Sequence, residues 1–179
     1  MKKIVFTFPL LALLVLNGCK QNDKLTSLCF VAIEDNSKLA YLVNKDALDI
    51  EIQTSSDDKN WSTWSTDLTL TLNKDQKVYI RNTSNTLSKS SDNYFKFVTS
   101  SGKFSVSGNV MSLINYSLIH EYCFTRLFEA SNITSAPSLP STTLANGCYQ
   151  AMFRDCHYLS SAPKLVSSTL KKYCYFKKH

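Results

Sequence analysis

The last third of the chain is a tandem repeat, and this repeat constrains the fold more than any other feature of the sequence. One copy begins at Cys123 and reads CFTRLFEASNITSAPSLPSTTLANG. The next begins at Cys148, 25 residues later, and reads CYQAMFRDCHYLSSAPKLVSSTLKKY, and a third begins with CYF at Cys174. Repeats of this length are typical of solenoids, in which copies stack because no single copy can bury its apolar side chains alone.

The apolar residues of each copy fall into two halves with different spacing. Residues 133–139 form a short apolar segment that contains a proline, which is typical of a brief strand or extended segment. Leu144, Cys148 and Met152 follow at four-residue intervals, and we interpret this spacing as one face of a helix. The sequence therefore predicts a strand-plus-helix solenoid over residues 116–179, with two complete copies and an incomplete third.

The positions that recur in register between the copies are mostly apolar, and we expect their side chains to form the core of the solenoid. Each is expected to stack on its counterpart in the next copy. The predicted core residues are Cys123, Phe128, Leu139, Leu144, Cys148, Met152, Phe153, Leu159, Leu165 and Cys174.

The order of residues within the repeat resembles that of a known family, the BspA-like leucine-rich repeats of bacterial surface proteins. The first copy departs from the family pattern, since Phe128 precedes Ile133 by one residue fewer and no cysteine corresponds to Cys156. The resemblance implies a secreted or cell-surface protein whose leucine-rich repeats often have an adhesive role. The matching residues are Ala136, Pro137, Leu139, Pro140, Thr142, Thr143, Leu144, Ala145, Cys148, Tyr149, Met152, Phe153, Cys156 and Leu159.

Residues 1–18 have the form of a signal peptide. Two lysines precede an apolar run at residues 4–16, which is too short to span a membrane as a stable helix. The run ends in Leu-Asn-Gly-Cys, which resembles the lipobox of bacterial lipoproteins and implies that Cys19 is acylated and begins the mature chain. The alternative is an ordinary signal peptide followed by an unrelated cysteine. The resemblance implies a lipidated tether at residues 19–27 and a lipid-anchored protein of the cell envelope, at the outer membrane and displayed on the cell surface.

Residues 28–115 are predicted to form a β-sandwich-like domain, so the predicted fold class is mixed: this all-β domain, then the strand-plus-helix leucine-rich-repeat solenoid. Short apolar segments alternate with turn-forming clusters throughout the region. Seven or eight short strands at such spacing are typical of a small sandwich. The predicted strands span residues 28–33, 39–43, 48–54, 67–72, 78–81, 94–98, 104–106 and 110–114.

Residues 53–64 resemble a degenerate Asp-box, the hairpin of sialidases and similar proteins in which an aspartate bonds its own turn. Lys59 stands where that hairpin has glycine. A sialidase also needs a cluster of arginines, whereas this chain has only three. Two interpretations of Trp61 and Trp64 remain open: their rings either stack on sugar rings or cover the core of the sandwich.

The remaining chemistry of the sequence favours neither catalysis nor metal binding. Cys123, Cys148 and Cys174 share one register, and because free cysteine behaves as a small buried apolar side chain, we expect a ladder of thiols. Cys156 and His157 are adjacent, but no second histidine lies at ligand spacing. We therefore expect no catalytic residue, no metal ligand, no cofactor and no nucleic-acid partner.

The formal net charge of +6 falls to +4 once Lys2 and Lys3 leave with the signal peptide. Most of the excess lies at the end of the chain, where no acidic residue follows Asp155. We interpret it either as a solvated face or as a patch that attracts anionic polymers. The lysines concerned are Lys164, Lys171, Lys172, Lys177 and Lys178.

Two functions fit these patterns. The first is a membrane-anchored bacterial surface lipoprotein that acts as a protein-interaction or adhesion module through its leucine-rich repeats. The second is a lipoprotein that binds or handles polysaccharide through the β domain and the pair Trp61 and Trp64. The first rests on the lipobox, the repeat and the family resemblance together, and we favour it over the second.

Overall fold

The structure is a computed structural model that describes residues 26–45 and 49–174. The predicted signal peptide, Cys19 and most of the tether lie outside the described residues. Those described contain eight β-strands and one short 3-10 helix (Val110–Ile114), and no α-helix is found among them. The strands are β1 (Leu28–Ala32), β2 (Ser37–Val43), β3 (Ile52–Ser55), β4 (Ser62–Thr63), β5 (Leu70–Leu72), β6 (Lys77–Asn82), β7 (Phe95–Ser101) and β8 (Phe104–Ser107).

The strands form two antiparallel sheets that pack face to face, which confirms the β-sandwich. One sheet has the order β4-β3-β6-β1-β8 and the other the order β5-β2-β7. Phe30 of β1 and Phe97 of β7 are both fully buried and meet edge to face with ring centroids 4.9 Å apart, so the two sheets share one aromatic core. The short strand β4 was not predicted, because its two residues are polar and exposed and carry no apolar signal.

The strand predicted at residues 110–114 is wrong, because these residues form the 3-10 helix. The side chain of Asn109 accepts a hydrogen bond from the backbone N–H of Met111 and caps the start of the helix. Asn115, in the left-handed conformation, ends it. Four of its five residues (Val110, Ser112, Leu113 and Ile114) are buried, so the helix packs almost entirely into the core.

The helix predicted in each repeat is also wrong, and the strand-plus-helix solenoid with it. In its place lie two runs of consecutive β-turns, which we call turn run 1 (residues 121–130) and turn run 2 (residues 146–155). Every fourth residue adopts a left-handed conformation that a helix excludes. The physical reason lies in the hydrogen bonds: alternate N–H groups of turn run 1 donate to the next copy, whereas an α-helix uses its N–H groups for bonds within itself. The left-handed residues are Tyr122, Arg126 and Ala130 in turn run 1, and Gly147, Ala151 and Asp155 in turn run 2.

The backbone N–H groups of turn run 1 alternate between two kinds of partner. Thr125 N–H donates to the carbonyl of Tyr122, three residues earlier, at 3.0 Å. Phe124 N–H, its neighbour, donates to the carbonyl of Cys148 in turn run 2 at 2.9 Å. The alternation continues along the run, so half of the N–H groups close turns and the other half stack one copy on the next. Turn run 2 repeats it, since Tyr149 N–H donates to the carbonyl of Cys174 at 3.1 Å.

The sandwich and the repeats share one hydrophobic core across the expected boundary at residue 115. Thr134 N–H donates to the carbonyl of Phe104 at 2.8 Å, and Phe104 forms a parallel bridge with Ile133. Phe128 of turn run 1 stacks on Phe97 of β7 with ring centroids 5.6 Å apart. Strand β8 therefore occupies the place of a preceding copy, and the sandwich covers the first end of the stack.

Candidate interaction surfaces of the repeat region

Most of the predicted repeat-core residues are buried. Phe153 and Leu159 are partly buried and pack against the core, whereas Leu165 is 42% exposed although its backbone forms a parallel bridge with Leu139. The stack of copies is thus well covered at the sandwich and opens towards residue 165. The buried members are Cys123, Phe128, Leu139, Leu144, Cys148, Met152 and Cys174.

The predicted ladder of cysteines is present in the core as free thiols. Cys123, Cys148 and Cys174 are each at most 1% exposed, and the sulfur atoms of Cys148 and Cys174 lie 2.7 Å apart. Burial raises the pKa of the Cys123 and Cys148 thiols far above the ordinary value, since a thiolate cannot be solvated there. These thiols stay protonated at neutral pH. A reactive cysteine instead has a lowered pKa and lies in electropositive, partly exposed surroundings.

Cys156 and His157, although adjacent in the sequence, do not form a reactive thiol–imidazole pair. The Cys156 thiol donates to the carbonyl of Phe128 at 2.9 Å, and burial raises its pKa. His157 is exposed. Among the described residues no group of three or more histidine, cysteine or acidic side chains could hold a metal ion.

The two tryptophans do not form a paired platform for a sugar. Trp64 is 1% exposed, donates its indole N–H to the carbonyl of Leu68 at 2.9 Å and meets Tyr41 edge to face. Trp61 is partly exposed, and the guanidinium of Arg81 lies 4.2 Å from its ring centroid. Trp64 therefore fills the sandwich core, and one ring alone is left near the surface.

The hairpin between β3 and β4 is held by one carboxylate, as an Asp-box hairpin is. Asp57 accepts hydrogen bonds from the backbone N–H groups of Asn60 and Lys59 and from the hydroxyl of Ser55. These bonds stabilise the charged form, those from the Asn60 and Lys59 backbone most, and hold the pKa of Asp57 well below its ordinary value. The aspartate serves the turn itself.

Exposed apolar side chains are concentrated in the second copy of the repeat. Of the ten large apolar side chains exposed in the described residues, five lie between residues 158 and 173, and we call this stretch the apolar-basic surface. Lys164, Lys171 and Lys172 are exposed in the same stretch, which contains no acidic residue. Contiguous exposed apolar patches rimmed by polar residues mark sites of interaction with proteins or membranes. The five are Tyr158, Leu165, Val166, Leu170 and Tyr173.

A second polar feature, which the sequence did not reveal, is a carboxylate ringed by three cations. Glu129 is 6% exposed and contacts Arg126, Arg154 and Lys96; we call these four residues the Glu129 cluster. One signal was available, because Glu129 and Arg154 occupy matching positions of the two copies, 25 residues apart. Lys96 comes from β7, and nothing in its sequence neighbourhood pointed to the repeats.

Comparison with protein-family models, with curated proteins and with solved structures finds no match to this chain. In the described residues, no helix has the length and apolar character needed to cross a membrane.

Proposed function

We propose that this chain is a lipid-anchored binding protein of the bacterial cell envelope that binds a protein partner through its second repeat copy. The observation that carries the proposal is the apolar-basic surface, where Leu165, Val166 and Leu170 are each more than 40% exposed. When a partner covers three such accessible apolar side chains, the apolar area that is removed from water makes a favourable contribution to the binding free energy.

The charge of the apolar-basic surface defines the chemistry of the partner. Lys164, Lys171 and Lys172 flank the exposed apolar side chains, and no acidic side chain of the same stretch neutralises them. A partner that presents an apolar patch rimmed by Asp or Glu side chains complements this surface, and opposite charges also speed the encounter.

A binding role agrees better with the cysteine and carboxylate environments than catalysis does. The thiols of Cys123 and Cys148 have raised pKa values, and the carboxylate of Asp57 accepts hydrogen bonds from its own turn. The anchor rests on the resemblance of residues 16–19 to a lipobox, and the location on the cell surface rests on the resemblance of the repeats to BspA-like proteins.

The test is site-specific photo-crosslinking of the full chain in bacterial cells that make it. A photoreactive residue at position 166 is expected to yield one discrete crosslinked protein, and Leu170→Glu is expected to abolish it. Position 118 is the matched control, because Leu118 is 87% exposed but lies outside the apolar-basic surface. Equal crosslinking from positions 118 and 166, or crosslinking that survives Leu170→Glu, would overturn the proposal.

A further inference from the structure

The Glu129 cluster joins three separate stretches of the chain at fixed positions. Lys96 lies on β7, where its backbone pairs with Leu42. Arg126 N–H donates to the carbonyl of Gln150 at 2.9 Å, and Ala130 N–H donates to the carbonyl of Arg154 at 2.8 Å. The sheet and the two turn runs thus hold the backbones of all three cations in place before any ligand arrives.

The cations outnumber the carboxylates that face them. Arg126 donates from one nitrogen (Nη1) to both oxygens of Glu129 at 3.2 Å, and Arg154 Nη2 contacts the same carboxylate. Asp155, 53% exposed, places an oxygen 3.7 Å from Arg154 Nε. Three positive charges against two negative charges leave one positive charge in excess, and it is two if the exposed Asp155 is screened by solvent.

Two of the three cations keep hydrogen-bonding capacity that the cluster does not use. Lys96 Nζ lies 3.9 Å from Glu129 Oε2, which is an ion pair but too long for a hydrogen bond. Arg154 Nε is a buried donor atom with no hydrogen-bond partner among the described residues. The side chains of the three cations are 20–26% exposed, so the cluster is open to solvent on one side.

We propose that Lys96, Arg126 and Arg154 form a binding site for one oxyanion group, a carboxylate, phosphate or sulfate. Such a group supplies the acceptor oxygens that Lys96 Nζ and Arg154 Nε lack, and it neutralises the excess charge. Arginine side chains suit it because their planar forks match the spacing of its oxygens. The guanidinium carbon of Arg126 also lies 5.1 Å from the centroid of the Tyr94 ring, and this cation–π contact helps to hold the side chain in place.

The protonation of Lys96 points the same way. Its pKa is lowered, first by burial and then by the positive charges of Arg126 and Arg154. A bound anion removes this repulsion, so its binding and the protonation of Lys96 favour each other.

The alternative is that the cluster only ties the sheet to the repeats. An ion network with this sole role responds to added salt through general screening, equally for all anions of the same ionic strength. A built oxyanion site binds one class of anion saturably and distinguishes it from chloride.

The experiment is an NMR titration of the full chain in a non-ionic detergent with sodium sulfate, sodium phosphate or sodium acetate, each against sodium chloride at the same ionic strength. Saturable shifts of the Lys96, Arg126 and Arg154 resonances with at least one of the three salts are expected, and the preferred salt identifies the oxyanion. Shifts that do not saturate, or that chloride reproduces, would overturn the proposal without any variant.

Substitutions then test the assignment of residues. Lys96→Met keeps an apolar stem and is expected to weaken binding about tenfold or more, because one charged hydrogen bond is lost. Glu129→Gln removes the competing carboxylate, so we expect tighter binding from it. Lys103→Met is the control, since Lys103 pairs with Glu34 outside the cluster and should leave the affinity unchanged. Unchanged affinity in Lys96→Met would contradict the site, as would equal weakening in Lys103→Met.

Discussion

Phe128 and Phe153, 25 residues apart in the chain, stack with ring centroids 5.5 Å apart and ring planes only 3° from parallel. Phe124 and Tyr149 repeat the arrangement at 5.7 Å and 9°. The two residues of each pair occupy equivalent positions in successive copies of the repeat. The hydrogen bonds between the two turn runs therefore stack equivalent positions directly on one another. The parallel rings follow from the equal backbone geometry of the two copies.

We expect Phe128→Ala to destabilise the protein by about 3–5 kcal/mol, because Phe128 is fully buried and its ring meets Phe30, Phe97 and Phe153. Phe153→Ala should cost only about 1–3 kcal/mol, since that side chain is partly exposed. Urea unfolding followed by fluorescence measures both. Equal losses in the two variants would contradict the deeper burial of Phe128.

Some of this structure could be predicted, because its signals are local or repeat. The sandwich strands follow from alternating apolar residues, and the stack of Phe128 on Phe153 follows from aligning the copies. The turn runs could not be distinguished from helices by Leu144, Cys148 and Met152 alone, since a four-residue interval fits both at first sight. What separates them is the left-handed conformation of every fourth residue, and in turn run 2 only Gly147 lacks the Cβ atom that disfavours it.

Other features depend on contacts between distant parts of the chain. Trp61 and Trp64 lie on one hairpin, yet only Trp64 is buried in the core. The orientation of the hairpin backbone relative to the sandwich determines which of the two rings is buried. Lys96 joins Glu129 only because β7 runs along turn run 1, where Phe97 N–H donates to the carbonyl of Leu127. No pattern in a single stretch of sequence contains that proximity.

The left-handed turn positions give a test that separates turns from helices. Ala151 has φ of 53°, which is strained for any residue with a Cβ atom. Ala151→Gly should therefore stabilise the protein by about 0.5–1 kcal/mol, whereas the same change inside a helix would destabilise it by about 1 kcal/mol. Ala145→Gly, six residues earlier in the chain and without positive φ, is the control and should be destabilising. Thermal unfolding measures both changes.

Asp57 makes the stability of the hairpin depend on pH. Its folded-state pKa lies below the ordinary value of 3.8, so its contribution is fully present above pH 3.8 and is lost as the pH falls towards the folded-state pKa. The Tm of the protein between pH 6 and pH 2 should therefore fall less steeply in Asp57→Asn than in the unmodified chain. Asp92, which has an exposed side chain, provides the control variant Asp92→Asn. Identical slopes for all three proteins would exclude this role of Asp57.

The proposed lipid anchor is tested by the substitution Cys19→Ser. A serine hydroxyl does not replace the thiol that receives the acyl group, so the variant should remain an uncleaved precursor and take up no fatty-acid probe. Membrane fractionation and mass measurement of the full chain check both outcomes. Incorporation of the probe that persists in Cys19→Ser would place the acyl chain elsewhere.

The cysteine ladder predicts an order of reactivity within one chain. Cys156 is partly exposed and should react first with an alkylating reagent, whereas Cys148 is buried, has a raised thiol pKa and should react only after denaturation. Cys148→Ser is expected to cost about 1–3 kcal/mol, because it places a hydroxyl in an apolar site. Fast alkylation of Cys148 in the native protein would contradict the buried ladder.

Denaturation without a reductant extends this test to oxidation. The sulfur atoms of Cys148 and Cys174 are 2.7 Å apart, so we expect any oxidation of the ladder to join this pair. Mapping of peptides by mass spectrometry should then find either free Cys148 or a Cys148–Cys174 bond, with Cys123 free in both cases. A Cys123–Cys148 bond would show that the register of the third copy differs from the one described, because Cys174 would no longer be the neighbour of Cys148.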